Sequence, residues 1–121
     1  MARTGKIKLF DTEYTLCYSS RVGEQIEEKY GDLQAGLEKM ETDRDFVEFL
    51  ALLMEAGYRW DKYEGKEPPK PMGAEELMDR TTKADMVPIH TAINETLINS
   101  LGRKVEARNI PKKGKGATQA E

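Results

Sequence analysis

Hydrophobic and polar positions along the chain separate into segments of two periods. Residues 5–18 alternate with period two. Ile7 and Leu9 share one side with Lys6 and Lys8 opposite, and Tyr14, Leu16 and Tyr18 share one side with Glu13, Thr15 and Cys17 opposite. This predicts a β-hairpin. A turn centred on Asp11-Thr12 pairs Leu9 with Tyr14 and Ile7 with Leu16, placing both apolar pairs on one face. An isolated hairpin is marginal in water, so this one needs helices to sit on.

The period then changes to that of a helix. Ser19 or Ser20 caps a segment with Val22, Ile26 and Tyr30 at i, i+4 and i+8, ended by Gly31. Asp32 caps a short helix carrying Leu33, Leu37 and Met40. The most apolar run follows, residues 46–57, capped by Thr42 or Asp43 and closed by Gly57. Phe46, Phe49, Leu50 and Leu53 fall on one face, and Val47, Leu52 and Met54 widen it. Burying those four main side chains contributes roughly 6–12 kcal/mol gross, so this is the expected central helix. Residues 58–73 read as a loop, because Pro68, Pro69 and Pro71 forbid a helix there. Ala74 to Arg80 forms a short helix anchored by Leu77 and Met78. Asp85 caps a last helix with Ile89, Ile93, Leu97 and Leu101 as its stripe, Pro88 in its first turn and Gly102 at its end.

The expected fold is therefore α+β and mainly α: an N-terminal hairpin packed on about four to five helices. Length supports one globular domain, residues 1–101, and the Lys- and Gly-rich residues 102–121 read as a disordered basic tail. Charge is divided unevenly. The tail carries net +4 against −3 for the whole chain, which leaves −7 on residues 1–101. An acidic body argues against a nucleic-acid-binding domain, although the tail can contact phosphate without sequence preference. One cysteine, Cys17, excludes an intrachain disulfide. Neither a signal peptide nor a membrane-spanning run is read.

Residues able to carry chemistry are few. His90 is the one histidine, and with Cys17 distant in sequence a zinc site lacks ligands. Cys17 sits in a strand with no histidine near it. Glu27, Glu28, Glu75 and Glu76 belong to solvated helix faces. No phosphate-binding loop or nucleophile elbow is present. No enzyme and no cofactor are expected. Binding is the alternative. Tyr58, Trp60 and Tyr63 either fold back as a lid on the core or form an exposed patch, and Tyr and Trp dominate interface hot spots. The stripe of the last helix either completes the core or offers Ile93 and Leu97 to another subunit.

The order of these parts resembles a known family. The hairpin runs Lys6-Ile7-Lys8-Leu9-Phe10-Asp11-Thr12-Glu13-Tyr14-Thr15-Leu16. A helix closes with Ile26-Glu27-Glu28-Lys29-Tyr30-Gly31 and another with Leu52-Leu53-Met54-Glu55-Ala56-Gly57. Ala74-Glu75-Glu76-Leu77 opens a late helix. Residues 5–101 thereby resemble the tail assembly chaperones of long-tailed (siphophage-type) bacteriophages and prophages. The resemblance implies a non-enzymatic, self-associating factor in the host bacterial cytoplasm, absent from the mature virion. Such a factor binds the tape measure protein, keeps it soluble and recruits tail tube protein. Tyr58, Trp60, Tyr63, Ile93 and Leu97 are the partner-binding candidates. The resemblance also implies a longer form made by frameshifting, with Gly114-Lys115 as a place for the slip. Two other readings stay open: a structural virion or connector protein of a phage tail, and a small nucleic-acid-binding regulator using the basic tail.

Overall fold

The structure, a computed structural model, describes residues 3–102. The expected tail therefore lies outside the described residues, apart from Gly102. Strands β1 (Gly5–Leu9) and β2 (Thr12–Leu16) form an antiparallel hairpin, followed by α1 (Ser20–Tyr30), α2 (Leu33–Lys39), α3 (Asp43–Tyr63), α4 (Ala74–Arg80) and α5 (Met86–Leu101). A single 3-10 turn, Lys83–Asp85, leads into α5. The architecture is α+β and mainly α, as the hydrophobic pattern implies. No described helix is long and apolar enough to cross a membrane.

The hairpin is one step tighter than its sequence predicts. Phe10 and Asp11 form the turn with φ of 54° and 63°, and the register pairs Leu9 with Thr12, Ile7 with Tyr14 and Gly5 with Leu16. Two central residues at positive φ give the two-residue turn whose twist suits a hairpin. For non-glycine residues that conformation costs roughly 1–2 kcal/mol each. Packing offsets part of it: the Arg80 guanidinium lies 4.3 Å over the Phe10 ring. The expected and observed registers differ by two residues, so the same side chains face the core in both.

Helix caps match the local sequence. Ser19 accepts from the Val22 amide, Asp32 from that of Ala35, and Thr42 forms a capping box with Asp45. The Asp45 carboxyl is held below its ordinary range, first by the Glu41 amide it accepts from. Before α5 the side-chain cap belongs to Thr82, whose box partner is Asp85. Asp85 makes no side-chain cap for α5 itself.

α3 is the central element, packing on β2, α1, α4 and α5, while α5 also packs on β1. Phe46, Val47, Phe49, Leu50, Leu53 and Met54 are buried on it. Its length departs from expectation: it runs six residues past Gly57, through Tyr63. Gly57 is an interior position where β2 crosses the helix, and a Cβ there would overlap the Thr15 carbonyl. Gly5 serves the matching contact on β1, where a Cβ would meet the Thr96 side chain. Both helices approach the hairpin through a glycine, which lets backbone come closer than side chains allow.

Candidate functional site

Beyond Gly57, α3 has two unlike sides. On one, Asp61 is buried and its Oδ2 accepts from the Thr15 hydroxyl at 2.6 Å, tying the helix end to the hairpin. Lys66 reaches the other carboxylate oxygen at 3.9 Å. These contacts continue the helix where sequence alone places a loop. The loop proper is confined to residues 64–73, and its Met72 is buried beside Met54.

The opposite side of α3 forms one wall of a groove. Leu52, Glu55, Ala56, Arg59, Trp60 and Tyr63 recur at i, i+3, i+4, i+7, i+8 and i+11, a single helical face. The first half of α1 supplies the second wall through Arg21 and Gln25, and Cys17, Ser19 and Val22 complete the floor and near end. The groove encloses about 400 Å³. Trp60 is half-buried and Tyr63 is 89 % exposed. Arg59 and Glu55 pair at 2.9 Å along the α3 wall. Burial pushes the Cys17 thiol up, so the floor holds a neutral thiol and not a reactive thiolate.

The partner-binding candidates thus separate. Trp60 and Tyr63 line the groove together. Tyr58 points elsewhere, half-buried, with the Lys62 ammonium 5.7 Å over its ring. Ile93 and Leu97 are completely buried, as is Ile89 beside them. They complete the core under β1 and α3 and contribute nothing to a surface. The three aromatics also do not lie in the loop: all belong to the last two turns of α3. Leu52, Glu55, Arg59, Arg21 and Gln25 are groove residues that sequence reasoning missed. The stripe of Leu52, Ala56, Trp60 and Tyr63 was its available signal, hidden by reading Gly57 as a helix end.

The groove brings together no acid–base pair and no nucleophile with its base. Among the described residues no group of three His, Cys, Asp or Glu side chains is placed to hold a metal ion. His90 lies apart, with its ring 4.0 Å from that of Phe46 and both ring nitrogens buried without a hydrogen-bond partner. An open trough between two helices, with Leu52, Ala56 and Trp60 interleaved with the Glu55–Arg59 pair on one wall and Arg21 and Gln25 on the other, is a geometry that can receive an amphipathic helix. Protein-family models, characterised proteins and solved structures yield no match to this chain.

Proposed function

We propose that this protein is a phage tail assembly chaperone that binds the tape measure protein, keeps it soluble and helps recruit tail tube subunits. The observation that carries the reading is the α1–α3 groove, where exposed Tyr63 and half-buried Trp60 stand beside Leu52 and Ala56. A holdase for a long apolar helix needs such a trough and little chemistry around it. The order of hairpin, Glu-rich helix and central helix, and the net −7 on residues 1–101, support the same role, since like charge keeps loaded copies apart.

The test is co-expression with a tape measure protein of a long-tailed phage. The chaperone moves the tape measure protein into the soluble fraction and is itself missing from purified virions by mass spectrometry. A tape measure protein that stays as insoluble as with an empty vector, or a chain recovered stoichiometrically from virions, overturns the reading.

A further inference from the structure

We infer, on the footing that the α1–α3 groove is the working surface, that it selects a partner's amphipathic helix whose apolar stripe is flanked by carboxylates. Charge in the groove runs against charge on the body. Among the described residues Arg21 and Arg59 line it with Glu55 as the one acid, which leaves +1 there against −7 for residues 1–101. Arg59 is held by Glu55 at 2.9 Å. Arg21, on the facing wall, is exposed and forms no ion pair among the described residues. Arg21 is also the second residue of α1, whose first turn contains no acid. The helix dipole disfavours a cation there and favours Asp or Glu. The stability of α1 therefore gives no reason for an arginine at this position, whereas a carboxylate ligand does.

The apolar part sets the kind of ligand. Leu52, Ala56, Trp60 and Tyr63 follow α3 for about 17 Å at 1.5 Å per residue, the length of about three turns of a partner helix. Residues flanking the apolar stripe of such a helix meet the two rims. A carboxylate on the α1 side meets Arg21. One on the α3 side shares the Arg59 guanidinium, whose planar fork has donors beyond the Nη2 that Glu55 uses. Lysines at the same flanking positions meet two guanidiniums instead, and like charge across an interface rejects the wrong partner. A second copy of this chain fits less well. Among the described residues its exposed large apolar side chains are Tyr63, Val87 and Ile98, and α5, which carries the last two, has Glu95 as its one acid.

Trp60 is the only tryptophan, so intrinsic fluorescence reports on the groove directly. The full chain is titrated with two tryptophan-free synthetic peptides of about twenty residues, long enough to form helix. Both carry the same Leu and Ala stripe, flanked by Glu in one and by Lys in the other. We expect the Glu peptide to shift Trp60 emission and to bind about tenfold more tightly than the Lys peptide, a preference that shrinks as salt is raised. Arg21→Glu is expected to abolish or reverse the preference while the thermal midpoint holds or rises, since an acid suits the start of α1. Arg21→Lys is expected to keep it. Equal or tighter binding of the Lys peptide overturns the inference. So does a Glu preference that survives Arg21→Glu, or a Trp60 emission that responds to neither peptide. No tape measure protein enters this titration. Peptide selectivity beside a tape measure protein that stays insoluble defeats the chaperone reading alone. A tape measure protein kept equally soluble by Arg21→Glu defeats this inference alone.

Discussion

The two ends of α3 obey different rules. From Phe46 to Gly57 the helix is enclosed by β2, α1, α4 and α5, and every large apolar side chain but Leu52 is buried. From Tyr58 to Tyr63 it is held by the Asp61 tie and by half-buried Trp60, and turns Tyr63 to solvent. The first part makes the fold and the second has surface to spare. Separating stability from exposed surface along one helix suits the proposed chaperone role, because such a surface can be bound and released without loosening the core.

The sharpest break in that comparison lies at the boundary, Gly57. Gly57→Ala improves helix propensity by about 1 kcal/mol. Its Cβ nonetheless overlaps the Thr15 backbone, which no side-chain rotation relieves. We expect net destabilisation of about 3 kcal/mol, the upper end of ordinary overpacking. For a domain of this size the thermal midpoint falls by more than about 10 °C. A midpoint unchanged by calorimetry would mean that β2 does not cross α3 at Gly57.

Thr15→Val tests the tie on the closed side. It removes the hydroxyl at 2.6 Å from Asp61 and leaves a buried carboxylate with only Lys66, itself exposed, at 3.9 Å. Losing a hydrogen bond to a charged group costs about 1.5–3 kcal/mol. Because Lys66 remains, the lower end is expected in urea unfolding. Amide exchange should rise over residues 58–63 and stay unchanged over 46–54. A uniform rise along α3 would show that its end is not a separately held unit.

A smaller effect belongs to the enclosed part. Burial lowers the pKa of His90, and the nearby Asp43 carboxylate opposes that only in part. The folded protein therefore takes up a proton at His90 less readily than the unfolded chain, whose imidazole has a pKa of about 6.5. Its contribution is fully present above about pH 6.5 and is lost as pH falls through the lower folded value. Urea midpoints at neutral and mildly acid pH should diverge more in wild type than in His90→Leu. Equal divergence would assign the acid sensitivity to carboxylates.

Much of the enclosed part was legible from sequence, and little of the open part was. Period and caps located α1 and α2, where apolar spacing and Ser or Asp caps act within a few residues of one another, and period alone located α4 and α5. Alternation placed Ile7, Leu9, Tyr14 and Leu16 on the core face. It could not choose between registers two residues apart, and a turn at Phe10-Asp11 carries Asp but neither the Gly nor the Asn that marks such a turn most strongly. Gly57 has two physical uses, helix end or close approach, and only the position of β2 distinguishes them. Ile93 and Leu97 form the same stripe whether a partner or the chain's own hairpin covers it. The groove joins residues about forty positions apart through packing that no local pattern encodes.

Tyr63 gives the smallest stability effect and tests the comparison most directly. At 89 % exposure its truncation removes almost no buried area, so Tyr63→Ala should change the unfolding free energy by less than about 0.5 kcal/mol. Exposed aromatics that anchor an interface cost about 2 kcal/mol or more of binding when truncated. Under the proposed function, Tyr63→Ala should therefore lower recovery of soluble tape measure protein while leaving the melting curve in place. Trp60→Ala is the companion, expected to lose binding and some stability together because Trp60 is half-buried against the core. If Tyr63→Ala retains full holdase activity while Trp60→Ala loses activity only in proportion to lost fold, the open end of α3 is not the working surface.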